Sequence, residues 1–519
     1  MPQRTTKQPS ETATDDRSVS APQGGADTEG PSIVESLDPR TGELLASYPV
    51  AGETEVARVV ERARGAAQWW YDIGFDGRKG WLQSWKKAIA ADAQSLAAVI
   101  SAETGKPADD ALLEVMLTVE HLDWASKKAG KVLGRRKVSA GLVSANQEAT
   151  VRYQPLGVVG VIGPWNYPLY TPMGSISYAL AAGNAVVFKP SELTPGVAAW
   201  IVGKWNDLVP NQPVLQVVTG FGATGTALCR SGVDKIAFTG STPTAKKVMA
   251  TCAETLTPIV AECGGKDAML VDADADLEEA STFAVFGAMG NAGQTCVGVE
   301  RIYVADKVFD TFVQKVTEKA KRLRLGGGAH DSYGPMTLGR QSEVVTEQVA
   351  DALAKGATAV LGGPESVRAP YVEPVILADV PEDSIAVTEE TFGPTVVINR
   401  MADLDDGVAK ANASGYGLGA SVFTRNRGRA VAAAERLRSG VVTINSVLGF
   451  AGVPALPFGG VGESGFGRIH GADGLREFSR VKSVTRQKYK APLNLLTMER
   501  KPRDMKIAAW MLRARHGRK

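Results

Sequence analysis

Residues 158–188 read VVGVIGPWNYPLYTPMGSISYALAAGNAVVF, and the apolar runs at the two ends decide the fold. Val158–Ile162 and Ala185–Phe188 are short, uncharged and rich in Val, the composition of strands buried on both faces. Working outward, the pattern alternates. Gly196 to Leu208 has helical spacing, Val214 to Val218 and Ile236 to Phe238 repeat the strand signature, and Thr244 to Ala253 is helical again. A βαβα rhythm of this kind implies a parallel sheet covered by helices on both faces. A second such set runs from about Asp267 to Ser446. The expected architecture is therefore α/β, with two doubly wound parallel-sheet domains and a ligand cleft between them. Upstream, IVESLDPRTGELLASYPV from Ile33 implies a hairpin turning at Asp38 to Gly42. Three helical stretches follow between about Glu53 and Leu133, with apolar residues three and four apart.

A chain of 519 residues is too long for one small core. Its 44% hydrophobic and 22% charged residues are those of an ordinary globular protein. A net charge of +2 gives no reason to expect a nucleic-acid partner. The four cysteines, Cys229, Cys252, Cys263 and Cys296, form no CxxC pair, which argues against a zinc ribbon or a disulfide scaffold and for a reducing compartment. The four histidines, His121, His330, His470 and His516, form no HExxH, so no metal is expected. No stretch approaches the ~18 apolar residues that would span a bilayer. The N-terminus lacks a signal-peptide core, and Asp15-Asp16 do not suit a mitochondrial presequence, so the expected location is cytoplasmic. Residues 1–32 read as a disordered tail.

Residues 491–519 hold eight Lys or Arg against Glu499 and Asp504, a net +6 that leaves the remainder of the chain at −4. Met505 to Arg513 should form a helix with a narrow basic edge and a mostly apolar circumference. It could dock in a groove on its own or a neighbouring subunit, the reading favoured here, or make peripheral contact with a membrane.

Several segments carry chemistry. Cys296 follows Asn291-Ala292-Gly293-Gln294-Thr295, a polar flank that suggests an exposed loop and a reactive thiol; a small buried hydrophobe is the plainer alternative. Glu262 ends an apolar strand, where a carboxylate enters the crevice of a parallel sheet as a general base or forms a simple ion pair. Asn166, in Gly163-Pro164-Trp165-Asn166-Tyr167-Pro168, is either a turn residue or a donor to a developing oxyanion. Lys189 and Glu192, three residues apart after a strand, could bind ribose hydroxyls. Phe238-Thr239-Gly240-Ser241-Thr242 opens a helix and suits a pyrophosphate. Gly220, Gly222 and Gly225 satisfy GxGxxG, which a plain glycine turn explains equally well.

Together, from about Ile33 to Lys490, these segments resemble the aldehyde dehydrogenase superfamily. Pro164 to Pro168 resembles its oxyanion motif, Phe188 to Glu192 its ribose segment and Phe238 to Thr242 its phosphate-binding helix start. Glu262 to Lys266 is similar to the general-base motif, with Cys263 where Leu is usual. Gly293 to Cys296 resembles the nucleophile motif, and Glu389 to Pro394 the segment that holds the nicotinamide ribose. Pro457 to Gly460, with Ser464-Gly465 and Gly467-Arg468, matches the closing motif.

The resemblance implies oxidation of an aldehyde to a carboxylic acid with NAD, or alternatively NADP. Cys296 would be the nucleophile, forming a thiohemiacetal and then a thioester, with Glu262 as base and Asn166 as oxyanion donor. Cofactor contacts would come from Pro164, Trp165, Lys189, Glu192, Gly222, Phe238, Thr239, Gly240, Ser241, Glu390 and Phe392. It further implies a cofactor domain over 33–136 and 156–264, a catalytic domain over 265–463, and an oligomerisation arm over 137–155 and 479–490 that builds a homodimer or homotetramer. Ala245, where the family often has Gly, would crowd the pyrophosphate. Gly174, eight residues after Asn166, lacks the Arg with which semialdehyde dehydrogenases often grip a distal carboxylate. The apolar loop from Val447 to Leu456 favours an aliphatic or aromatic aldehyde, with succinate semialdehyde as the alternative. Glu262 argues against a coenzyme A-acylating enzyme, and Cys296, Glu262 and Asn166 together argue against a non-catalytic relative.

Overall fold

The computed structural model describes residues 32–141, 144–209, 211–328, 330–493 and 495–517. All but the last residue of the expected 1–32 tail lies outside the described residues. The hairpin forms as expected: Ile33–Leu37 pairs antiparallel with Leu44–Pro49, and the turn places Gly42 at φ 75°, which a side chain resists. Four helices follow rather than three: Glu53–Asp72, Gly74–Ala91, Ala93–Thr104 and Ala108–Leu133. Two of the breaks are single residues, Ile73 and Asp92, so the apolar spacing runs on across them. Gly105, at φ 74°, makes the third.

The first sheet has six strands in the order Gly465–Phe466, Ile259–Glu262, Lys235–Thr239, Val158–Ile162, Ala185–Lys189 and Leu215–Val217. All neighbours are parallel except the edge strand, which runs antiparallel and sets Gly465 opposite Glu262. Every residue of Val158–Ile162 and Ala185–Lys189 is buried, which is why the two runs are apolar without alternation. Helix Tyr170–Ala182 lies between them, and every residue from Thr171 to Ala182 is buried. With no solvated face it has no polar stripe, and sequence periodicity therefore passes over it.

The second sheet has seven strands in the order Thr358–Leu361, Val375–Ala378, Thr395–Met401, Val299–Ala305, Asp267–Val271, Gly419–Phe423 and Val441–Ile444. Only its Thr358–Leu361 edge is antiparallel. A separate antiparallel sheet joins Arg136–Val138, Gln147–Pro155 and Ser479–Gln487. The chain thus builds the first sheet, then the second, and returns to the first through residues 465–466. The C-terminal helix forms over Pro502–His516, but none of its residues is buried. No helix among the described residues is long and apolar enough to cross a membrane.

Three tryptophans tie the first helices to helix Pro195–Leu208. Trp205 meets Trp70 edge-on at 5.5 Å and Trp85 at 5.2 Å, all fully buried. Trp205 Nε1 has no hydrogen-bond partner, so its contribution is packing alone. Trp205→Ala should destabilise the fold by about 3–5 kcal/mol, read as a lower urea midpoint. Trp205→Phe, which keeps a ring and removes only the unpartnered donor, should cost clearly less.

Candidate active site

The C-terminal ends of four parallel strands open onto one crevice, the place where such sheets hold ligands. Val158–Ile162 leads into Pro164, Trp165 and Asn166, Ala185–Lys189 into Glu192, Lys235–Thr239 into Gly240 and Ser241, and Ile259–Glu262 ends on Glu262 itself. The cleft above them has a volume of about 1130 Å³, and every residue expected to contact the cofactor lines it, from Pro164 to Phe392. Lys189 is buried with its Nζ 3.6 Å from Glu192 Oε2. The rings of Trp165 and Phe392, from loops of the two sheets, meet edge-on at 5.6 Å. Ser241 caps helix Thr242–Ala253, whose free N–H groups suit a phosphate. Ala245 does not crowd this site: it is buried in the core of that helix and does not line the cleft.

Cys296 stands where the cleft meets a second cavity, and with Thr171 it lines both. Its Sγ donates to Glu262 Oε1 at 3.4 Å. Glu262 is also reached by Thr239 Oγ1 at 3.3 Å. The expected exposed loop is not exposed: Asn291 to Thr295 are all buried, and Cys296 alone keeps partial access. The polar residues of this loop face inward because they bond one another. Asn166 Nδ2 donates to the Gln294 carbonyl at 2.9 Å, Asn291 Nδ2 donates to the Asn166 carbonyl at 3.1 Å, and Gln294 Nε2 donates to the Asn291 carbonyl at 3.0 Å. An amide has two N–H groups, so Asn166 keeps one for a ligand.

Burial pushes the Glu262 carboxyl up to about 7, and it raises the Cys296 thiol well above its usual range, with the neighbouring Glu262 adding to the effect. Near neutral pH the thiol is therefore uncharged, while the Glu262 carboxyl is divided between its protonated and ionised forms.

The second cavity, about 450 Å³, is mostly apolar. Leu113, Leu117, Phe283, Phe286, Val447, Leu448, Phe450, Phe458 and Ile469 contribute to its wall, together with Tyr167 and Tyr170. The apolar loop does line it, through Val447 to Gly452, whereas Val453 to Leu456 do not. At Gly174 an added Cβ would come within 2.5 Å of His470 Nε2. His470 fills the space a side chain there would need, and burial holds its imidazole well below its usual range, hence uncharged.

The aldehyde dehydrogenase family model matches residues 26–484. The chain belongs to the aldehyde dehydrogenase family. Among its relatives it is similar to the 4,4'-diapolycopene aldehyde oxidase of a Methylomonas species, at 38% identity over 86% of this chain and 84% of the relative. Likeness to the glutarate-semialdehyde dehydrogenase of Pseudomonas putida is 32% over 88% and 95% of the two chains. An NAD-dependent aldehyde dehydrogenase from Sinorhizobium meliloti, solved by crystallography, superimposes with a TM-score of 0.85 at 31% identity, covering 90% of this chain and 93% of that one. Solved relatives include both NAD-dependent and NADP-dependent enzymes.

This aldehyde dehydrogenase holds its site with residues to which the sequence reading gave no role. Lys266 Nζ is fully buried and binds Glu300 Oε2 at 2.6 Å and Thr391 Oγ1 at 2.9 Å. Glu300 also accepts the backbone N–H of Thr391 at 2.8 Å and of Phe392 at 2.9 Å. One ion pair thus fixes the loop that carries Glu390 and Phe392. On the other side Lys106 Nζ binds Glu114 Oε2 at 2.9 Å and the Asn166 carbonyl at 2.8 Å. Lys266 belongs to a recognisable motif and could have been suspected. Glu300 and Lys106 sit in segments whose sequence carries no signal of pairing across so many residues. Glu300→Ala would leave Lys266 charged, buried and unpaired, at about 3–5 kcal/mol. The enzyme should lose stability and its KM for the cofactor should rise at least tenfold; a variant with unchanged cofactor KM would exclude the positioning role.

Proposed function

We propose that the enzyme oxidises apolar aliphatic or aromatic aldehydes to carboxylic acids, through a thioester on Cys296 that Glu262 helps to hydrolyse. The observation that carries this reading is the position of the thiol, at the junction of a polar cleft and an apolar pocket and 3.4 Å from a carboxylate. Glu262 takes the thiol proton, and Cys296 Sγ attacks the aldehyde carbon from the pocket side. The free N–H of Asn166 and the backbone N–H of Cys296 receive the resulting oxyanion, each such donor being worth about 10²- to 10³-fold in rate. Bound in the cleft, nicotinamide supplies the hydride acceptor that oxidation of this thiohemiacetal requires. Once Glu262 has passed the thiol proton to solvent, it draws another from the water that attacks the thioester; the C–S bond breaks, the acid leaves and Cys296 is restored. Retention of this carboxylate favours water over coenzyme A as the acyl acceptor.

The names of relatives attach to different aldehydes, so the pocket decides the substrate class. Lys106 is the single Lys or Arg among its described lining residues, and Glu114 already neutralises it. Asp110 also lines the wall and would repel a distal carboxylate. Gly174 offers no grip. These features disfavour succinate or glutarate semialdehyde. NAD is favoured over NADP because Glu192 would face a 2′-phosphate. The antiparallel strand Ser479–Gln487 leaves most of its side chains exposed, and we assign it to pairing with a second copy in a dimer or tetramer.

Cys296→Ala should abolish turnover and leave NAD binding by calorimetry within about threefold of wild type. Glu262→Gln should let an acyl-enzyme accumulate, visible by intact mass after one turnover. In the wild type kcat should rise with pH through about 7, because the base must be unprotonated; that limb should vanish in Glu262→Gln. Along straight-chain aldehydes, kcat/KM should climb roughly fourfold per methylene until the pocket is filled. A higher kcat/KM for succinate semialdehyde than for octanal would overturn the substrate class.

A further inference from the structure

The C-terminal segment carries a chemistry that the aldehyde site does not use. Its helix, Pro502–His516, keeps one edge half-buried, at Asp504, Ile507, Ala508 and Met511. The spacing of three, four and seven residues puts these on a single face. The remaining circumference is in water and carries Met505, Trp510 and Leu512, exposed by 46%, 68% and 64%. Lys506 and Arg513 lie on this same outer side, seven residues apart. The approach to the helix adds Leu496 and Met498, exposed by 94% and 97%, and the cations Arg500, Lys501 and Arg503. Single exposed hydrophobes are ordinary. Five large ones gathered into one short segment of charge +6, on a chain otherwise at −4, are not.

We propose that this segment is a peripheral membrane anchor that binds anionic lipid headgroups. The outer side mixes apolar and cationic groups instead of segregating them. A protein groove that received Trp510 and Leu512 would have to bury or pair Lys506 and Arg513 beside them, at the cost of desolvating both cations. An anionic membrane surface meets both demands together: Trp510 and Leu512, on the two flanks of the outer side, reach the boundary of the acyl region while Lys506 and Arg513 between them extend to headgroups. Trp is suited to that depth because its ring is apolar and its N–H polar. The helix is too short and too charged to span, so the attachment is to the surface.

The test is flotation of the full-length enzyme with vesicles of phosphatidylglycerol and phosphatidylcholine, against vesicles of phosphatidylcholine alone, at low and high salt. The anchor requires flotation with the anionic vesicles only, lost at high salt. Arg513→Glu with Arg515→Glu should weaken it roughly twentyfold or more, and Trp510→Ser with Leu512→Ser at least tenfold. Both variants should oxidise a short, water-soluble aldehyde in lipid-free buffer at the wild-type rate. Hydrogen exchange over 502–516 should be fast in the lipid-free oligomer and slow on anionic vesicles. Absence of flotation, equal flotation with phosphatidylcholine, or variants that float like wild type would overturn the proposal. So would slow exchange before any lipid is added, which would place the segment against another copy of the chain.

Discussion

The 2.9 Å hydrogen bond from the Asn166 side chain to the Gln294 carbonyl joins a loop of the first sheet to the thiol-bearing loop of the second. That loop needs such support. Asn291, Ala292 and Gly293 all lie in the left-handed region, at φ 54°, 55° and 70°, a conformation that costs a side-chain-bearing residue about 1–2 kcal/mol. Gly293 is there because its backbone packs on the Gly393 carbonyl, where a Cβ would come within 2.0 Å. Gln294 closes the arrangement by accepting from Thr337 N at 2.9 Å and donating to the Asn291 carbonyl. The strain is tolerated because the side-chain amides of Asn291 and Gln294 and the Thr295 hydroxyl all have partners, and the loop sets Sγ beside Glu262 at the meeting of the two cavities.

The second constraint is electrostatic. Burial raises Glu262 to about 7, Asp267 to about 7 and Glu390 to about 8, and raises the Cys296 thiol further above its ordinary value. The Glu300 charge adds to the rise at Glu390 and Asp267, while Lys266 opposes it at Glu390 and Arg301, whose guanidinium sits on the Lys266 carbonyl at 2.7 Å, opposes it at Asp267. At neutral pH the free protein therefore keeps a substantial protonated fraction of these carboxyls around Cys296. A cationic ring bound in the cleft would favour the ionised form of each of them. On this physics the cleft and the thiol are coupled: cofactor binding and thiolate formation favour one another.

The sequence disclosed what depends on local pattern. Both runs of Val158–Phe188 are strands because they are buried on both faces; the motif residues of the first sheet are gathered because they end or follow parallel strands, whereas Cys296, Glu390 and Phe392 come from loops that lead into strands of the second. Misreadings came where the pattern was misleading. Ile73 and Asp92 break helices without interrupting the apolar spacing. Helix Tyr170–Ala182 has no solvated face and hence no period. The polar wording of Asn291 to Thr295 suggested solvent, whereas those groups satisfy one another in the interior. Ala245 looked like a steric threat beside the expected phosphate site, yet helical geometry turns it to the core. Pairings such as Lys106 with the Asn166 carbonyl and Glu300 with Phe392 N join residues 60 and 92 positions apart, and no local pattern encodes them.

The pocket beside the thiol belongs to no single segment. Its wall takes Leu113 and Leu117 from helix Ala108–Leu133, Phe283 and Phe286 from helix Leu277–Met289, Val447 to Gly452 from the loop after the second sheet, and Phe458, Ile469 and His470 from the chain's return toward the first. Gly174 and His470 illustrate how such a surface acquires selectivity. The absence of a side chain at 174 does not enlarge the cavity, because His470 occupies the space, held at φ 61° with its ring centroid 4.0 Å from that of His121 and tilted to it by 52°. The exchange removes a position from which a cation could reach the substrate and installs a neutral ring. With Lys106 committed to Glu114, nothing on that wall can neutralise a carboxylate, while the aromatic and aliphatic groups reward each added methylene by about 0.8 kcal/mol. The same few residues thus make the wall apolar and leave it, among the described residues, without an unpaired cation.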